Sequence, residues 1–371
     1  MKKILFGITS LTLGGAERVL VDLANKLCEN YEITIFTIYA NGELEKQLSK
    51  KVNLKTLYNK QYSELSNRER KIVPIKVLLN KKKIYNNHIK ENYDVEISFL
   101  EGPITRLFSV ENDNARKISW IHNDISLVFG NGLKAKIKRF IDKKGYSKFD
   151  TLVFVSKENL KNFNKTYKIL SNVKKEVIYN YIDANRIIEK SKEKAEVEFN
   201  KESLNFVTVA RLVPQKAIDR LIKVHSKLIN EGLNHDVYVI GDGPEKEKLG
   251  KLINENNVKG TFHLLGKKEN PYPYIKNADY FCLLSNFEGY GMVLEETKIL
   301  GKNIIITNTA AREAVSEYKN SVILGNNEEE IHIGLRKIIQ SEKKIVDLES
   351  QKEYDNSNII GQVVDLIEGE D

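Results

Sequence analysis

The sequence predicts an α/β protein built from two doubly wound parallel-sheet domains in tandem. Three observations carry that expectation. Short runs nearly continuous in apolar residues recur along the chain, which is how parallel strands covered on both faces read. They alternate with segments whose apolar residues return at three- and four-residue steps, the helical period. The alternation breaks once, in the polar stretch 183–203, and then restarts.

The first series runs ILFGIT (4–9), ITIFTIY (33–39), VNLKTLY (52–58), DVEISFL (94–100), RKISWIH (116–122), TLVFVS (151–156) and EVIYN (176–180). Between its first two members, Ala16, Val19, Leu20, Leu23, Ala24 and Leu27 share one helical face, so that helix packs on the sheet. The second series is LNFVTVA (204–210), DVYVIG (236–241), GTFHLLG (260–266), YFCLL (280–284), NIIIT (303–307) and VILG (322–325). The boundaries expected are a first domain over 1–182, a connection over 183–203, a second domain over 204–354 and a terminal helix within 355–371. Ile359, Ile360, Val363, Val364 and Ile367 give that helix an apolar face able to pack on either domain.

Composition narrows the function. With 371 residues and 41% hydrophobic residues there is enough apolar material for two cores. The net charge of +8, read as lysine spread along the chain, points to anionic partners: phosphorylated substrates, lipid headgroups or nucleic acid. No aromatic-basic platform or known module supports nucleic acid, so none is expected as a partner. Cys28 and Cys282 stand alone and far apart, which argues against a disulfide scaffold, a zinc site or secretion and makes the cytoplasm the expected compartment. The start MKKILFGITSLTLGGAE reads as a buried strand entering a glycine turn rather than as a signal peptide. No run approaches the roughly 18 apolar residues of a spanning helix, so membrane contact would be peripheral, at the inner face of the plasma membrane.

In open α/β sheets ligands bind beyond the carboxyl ends of the strands. The unusual residues fall there: Gly14 and Gly15, His122, Arg211, Gly241 and Gly243, and Glu288. LTLGGAE lacks the G-x-G-x-x-G fingerprint; it is either a tight turn that needs glycine dihedrals or a helix N-terminus facing an anion. Arg211 and Lys216 flank the start of a helix after a strand. A guanidinium can grip two phosphate oxygens while an ammonium adds a mobile charge, a pair suited to a diphosphate; a solvated basic turn is the plain alternative. His122 ends a buried strand, where a functional role competes with capping or core packing. In SNFEGYGMVLEE, Glu288 precedes a helix expected to begin near Gly291, and Glu296 lies in its second turn, roughly 12 Å further on. That separation opposes a shared metal. It suits a long ligand held at both ends, with carboxylates accepting from sugar or ribose hydroxyls and the amides of 289–292 near its phosphate.

The ordered series SLTLGGAERV, SWIHND, FVSKENL, VIYNYID, ARLVPQKAIDRLI, VIGDGPEKEKL, LLGKKENPYPYIKNADYFCLLSNFEGYGMVLEE and TNTAAREAV resembles, over nearly the whole chain, the retaining glycosyltransferases of group 1 (family 4) in bacterial surface-polysaccharide biosynthesis. The resemblance implies the GT-B fold, two Rossmann-like domains facing each other across a cleft. It implies transfer of a hexosyl or N-acetylhexosaminyl group, with retention, from a nucleotide-diphosphate sugar, UDP-linked on family frequency, to a lipid-linked or oligosaccharide acceptor. By the same likeness Arg211 and Lys216 hold the donor diphosphate, Glu288 contacts the transferred sugar, Glu296 the ribose, and His122 reaches the donor sugar near the reaction centre. Gly14 and Gly15 resemble the loop that closes on the phosphates, and Gly241, Gly289, Tyr290, Gly291, Met292 and Val293 the remainder of the donor pocket. No D-x-D occurs, which fits basic side chains in place of a metal, and no cofactor is implied. Ala210, Ala217, Met292, Val293 and the glycine-free turn TNTAARE depart from the family pattern and leave the sugar open.

Two other functions use the same architecture. A nucleotide-sugar 2-epimerase would form an epimer without any acceptor, and a non-catalytic nucleotide-sugar-binding partner subunit would neither hydrolyse nor transfer. The basic stretches 67–90 and 132–148 interleave lysine with apolar residues, and Leu133, Ile137, Phe140 and Ile141 share a helical face in the second. That face either packs on its own domain or rests on anionic lipid.

Overall fold

The structure is a computed structural model describing residues 1–123, 125, 132–167, 173–341 and 357–370. In the first series the strands are β1 (Lys3–Ile8), β2 (Glu32–Tyr39), β3 (Asn53–Tyr58), β4 (Val95–Ser98), β5 (Arg116–Ile121), β6 (Thr151–Phe154) and β7 (Lys174–Val177). They form one parallel sheet in the order β3-β2-β1-β4-β5-β6-β7. The second series gives β8 (Leu204–Val209), β9 (His235–Ile240), β10 (Phe262–Gly266), β11 (Tyr280–Leu283), β12 (Asn303–Thr307) and β13 (Ser321–Leu324). Their order, again all parallel, is β10-β9-β8-β11-β12-β13.

Every run expected as a strand is one, because the central strands are buried over nearly their whole length. One run is displaced. The strand expected at 176–180 pairs as Lys174–Val177, since β6 ends opposite Val177 at Phe154 and leaves 179–180 nothing to pair with. The helix Gly15–Leu27 buries Val19, Leu20, Leu23, Ala24 and Leu27, the face its periodicity predicts.

The chain separates into two compact units, Met1–Ile182 with the terminal helix Ser357–Glu368, and the residues from Asp183 onward. The terminal helix closes on the first unit: Arg116 Nη1 donates to Leu366 O at 2.7 Å, Tyr31 donates to Glu368 Oε1 at 2.8 Å, and Val363, Leu366 and Ile367 are buried. The stretch 183–203, expected as a connection, instead begins the second unit. Its helix Ala184–Lys190, capped by Asp183, packs on the helices Tyr272–Asn277 and Met292–Ile299, with Ile187 as its buried anchor.

Candidate functional site

Each sheet reverses its winding once, and the crevice at such a reversal is where an α/β sheet opens a site. In the second unit the reversal lies between β8 and β11. The loops leaving those strands carry Arg211 and Lys216 on one side and Ser285 to Gly291 on the other. They are stitched together: Asn286 N donates to Gln215 O at 2.8 Å, Asn286 Nδ2 to Pro214 O at 2.9 Å, and Gln215 Nε2 to Phe287 O at 3.1 Å.

Within this frame Lys216 and Glu288 form an ion pair with both side chains mostly buried. Ser285, itself buried, donates from Oγ to Glu288 Oε2 at 3.1 Å, and Thr307 donates to Ser285 O at 2.7 Å. Glu288 is thus fixed by a hydroxyl and an ammonium together. Arg211 is exposed, and its guanidinium makes no hydrogen bond or ion pair among the described residues. Lys216 ends a single 3-10 turn, and Ala217 then takes a left-handed φ of 49° to open the helix Ile218–Asn230. From that helix Arg220 donates through Nη2 to Leu284 O at 2.7 Å and to Asn326 Oδ1 at 2.9 Å, while Asn326 Nδ2 donates to Asn286 O at 2.7 Å.

Gly289, Tyr290 and Gly291 lead into the helix Met292–Ile299, where Gly291 has a φ of 76° that only glycine adopts freely. Met292 and Val293 open the helix, so their amides lie at its positive end. The Tyr290 hydroxyl is committed to Glu295 at 2.6 Å. Glu295 is buried and also paired with Lys298 at 2.7 Å, so it fixes structure, whereas Glu296 is more accessible and accepts from Tyr272 at 3.2 Å. The site therefore joins Lys216, Glu288 and Ser285 directly and holds Glu296 separately, from a different helix.

Gly241 earns its place by packing. A Cβ there would stand 1.9 Å from Ala210 O, and one on Gly243 would stand 2.4 Å from Leu212 O. The 241–243 turn thus lies backbone to backbone against the segment that carries Arg211, tied by Leu212 N to Asp242 O at 3.0 Å.

In the first unit the reversal lies between β1 and β4. Gly14 caps the helix Gly15–Leu27 with an extended φ of −133°, and neither Gly14 nor Gly15 has a positive φ, which corrects the expectation of unusual dihedrals. A Cβ at 14 would stand 2.1 Å from Glu17 Oε2, the tip of a flexible side chain that can swing aside. Burial pushes the Glu17 carboxyl up, against its own backbone amide, so this helix N-terminus already faces an acid of the chain.

His122 leaves β5 beside Phe99, with ring centroids 4.8 Å apart. Part of the residue is accessible, but its Nε2 is buried with no partner among the described residues, and burial pushes its pKa down to about 3. The imidazole is neutral and presents a ring nitrogen still unused. Glu101, after β4, holds this loop by accepting from Asn123 N at 2.6 Å and Asn123 Nδ2 at 3.0 Å, and burial pushes its carboxyl up.

Sequence reasoning passed over Ser285, Arg220, Asn326 and Glu101. Ser285 and Glu101 carried the signal that marked Glu288, a polar residue within a few places of the end of a buried strand. Arg220 and Asn326 act by folding two distant loops together, which leaves no local pattern.

The known proteins that this chain is similar to are glycosyltransferases. Residues 189–355 match the family described as Glycosyl transferases group 1. The chain is 26% identical to the glycosyltransferase MJ1059 of Methanocaldococcus jannaschii, over 78% of this chain and 71% of that protein. It is 27% identical to the N-acetylgalactosamine-N,N'-diacetylbacillosaminyl-diphospho-undecaprenol 4-alpha-N-acetylgalactosaminyltransferase of Campylobacter jejuni, over 92% of each. Among solved structures, Anabaena Alr3699/HepE in complex with UDP and glucose superimposes with a TM-score of 0.74 over 100% of both chains, at 16% identity, a likeness of fold. Two Rossmann-like parallel-sheet domains of this kind define the GT-B fold. Residues 189–355 thus match the group 1 glycosyltransferases, and the chain as a whole has the GT-B fold.

Proposed function

We propose that this enzyme moves a sugar from a nucleotide-diphosphate sugar, UDP-linked, to a lipid-linked saccharide, keeping the anomeric configuration, in the synthesis of a bacterial surface polysaccharide. The observation that carries the reading is the Lys216–Glu288 pair at the winding reversal of the second sheet, with the unpaired guanidinium of Arg211 beside it in sequence. The Campylobacter relative is named for a diphospho-undecaprenol substrate and the Anabaena structure holds UDP, which supports the acceptor and the base respectively.

In this reading Arg211 and Lys216 balance the charge that develops on the diphosphate as its bond to the anomeric carbon breaks. The acceptor oxygen bonds to that carbon on the same face, and its proton passes to the departing phosphate oxygen. Glu288, steadied by Ser285, accepts from a hydroxyl of the sugar, and Glu296, steadied by Tyr272, accepts from the ribose. The positive end of the helix Met292–Ile299 faces the phosphates. We assign charge neutralisation to these basic groups rather than to a metal, so turnover should survive a chelator.

The test is a thermal-shift screen of UDP, GDP and ADP sugars, followed by anomer analysis of the product. A saturating donor at about a hundred times its Kd stabilises by about 2.7 kcal/mol. A shift with one or more UDP sugars is the expected result; no shift with any nucleotide sugar overturns the reading.

A further inference from the structure

The positive charge of this chain is concentrated, not spread. Segments 67–88 and 133–146 carry seven and six basic residues with one acidic residue each, an excess larger than the net +8 of the whole protein. The helices in these segments, Asn67–Leu79, Lys81–His88 and Leu133–Tyr146, all pack around the helix Pro103–Phe108 on one face of the first sheet and share its core.

The helix Leu133–Tyr146 is turned opposite to the expectation that its apolar residues pack inward. Its buried face is Ala135, Asp142 and Tyr146, with Asp142 held by Arg106 Nε at 2.7 Å. Ile137 and Phe140 point outward, 53% and 60% exposed, while the Leu133 side chain lies outside the described residues. On the helix Asn67–Leu79, Val73 and Val77 are buried but Ile75 and Leu79 are 55% and 76% exposed. Apart from Met1, these four are the large apolar side chains more than half exposed among the described residues. Exposed lysines surround them: Lys71 and Lys76 beside Ile75, Lys136 beside Ile137, and Lys144, whose Nζ lies 4.7 Å from the Phe140 ring centre.

Single exposed apolar residues are ordinary, but four confined to two lysine-rich helices that pack on the same helix, Pro103–Phe108, are a pattern with a physical meaning. An apolar tip ringed by long cationic side chains matches a surface that is negative outside and apolar just beneath. We propose that these two helices dock the first unit on an anionic lipid bilayer, with Ile75, Leu79, Ile137 and Phe140 entering the headgroup boundary and the lysines meeting lipid phosphates. This extends the proposed lipid-linked acceptor by locating where the enzyme meets the membrane.

The test is co-sedimentation of the full chain with vesicles, without donor or acceptor present. Binding to phosphatidylcholine vesicles containing phosphatidylglycerol, little binding to phosphatidylcholine alone, and release by high salt are expected. The exposed double substitution Ile137→Asp with Phe140→Asp should weaken vesicle binding about tenfold or more. Its melting temperature and its thermal shift with nucleotide sugars should stay those of the wild type. Absence of binding to anionic vesicles at low salt, or equal binding by the double variant, overturns the docking surface and leaves an acidic protein partner as the occupant to seek. Vesicle binding that persists while no nucleotide sugar binds leaves the surface standing and removes the transferase reading instead.

Discussion

Glu288 takes an ammonium from Lys216 and a hydroxyl from Ser285 on the same carboxylate oxygen, although Lys216 lies 72 positions away in the chain. The carboxylate is therefore oriented before any ligand arrives, and under the proposed function Lys216 turns from the acid to a phosphate. Ser285→Ala removes the neutral half of this arrangement. Loss of one buried hydrogen bond should cost about 1 kcal/mol of stability. Because Glu288 is assigned to the sugar and not to the nucleotide, turnover should fall by about tenfold while the Kd for UDP is unchanged. Steady-state kinetics beside UDP titration check the split; equal losses in both would move Glu288 to the nucleotide.

The loops at the winding reversal of the second sheet depend on glycine at 241. Gly241→Ala places a methyl 1.9 Å from Ala210 O at a φ of 147°, so the backbone carrying Arg211 must move. A loss of more than about 2 kcal/mol is expected, with weaker UDP binding alongside it. Gly250, inside the helix Lys246–Glu255, has open space around its Cβ position, and Gly250→Ala should stabilise by up to about 1 kcal/mol. Urea unfolding of the two variants checks both signs.

Acid should weaken the second unit through a buried histidine relay. His235 Nδ1 lies 2.8 Å from Leu233 O and must donate to it, so His235 Nε2 accepts from His225 Nδ1 at 2.8 Å. His225 Nε2 then accepts from the Thr261 hydroxyl at 2.8 Å, and both rings are neutral. Burial pushes the His225 pKa down to about 3 and that of His235 down as well. Between pH 3 and the unfolded value near 6.5 the unfolded chain binds a proton that folded His225 refuses. The relay costs nothing in protonation above that range, and stability falls as pH drops through it, by about 2 kcal/mol for His225 alone near pH 5. Unfolding at neutral and mildly acidic pH should show this slope; a flat profile contradicts the neutral relay.

Most of the fold was legible because both sheets are parallel and covered, so strands such as Phe281–Leu283 and Ile304–Ile306 appear as unbroken apolar runs. The strand-end rule also placed Arg211, Lys216, Glu288 and His122 in the loops that follow β8, β11 and β5, which is where they stand. It did not reveal what fixes them. Ser285, Arg220 and Asn326 act through neighbours brought together only by folding, and Gly241 serves by lacking a side chain against Ala210. The helix Leu133–Tyr146 misled for another reason. Periodicity identifies an apolar face but not the direction in which it points, and here Asp142 and Tyr146 take the inner side while Phe140 faces out.

The central claim is that Arg211 and Lys216 neutralise a departing diphosphate. The most direct measurement is release of UDP from the donor sugar found in the screen, in the presence of acceptor, by wild type and by Arg211→Ala. Arg211 is exposed and unpaired among the described residues, so its loss should leave the melting temperature unchanged. The account predicts that kcat/KM falls by about a hundredfold or more, with most of the loss in kcat. Turnover within about twofold of wild type would contradict it.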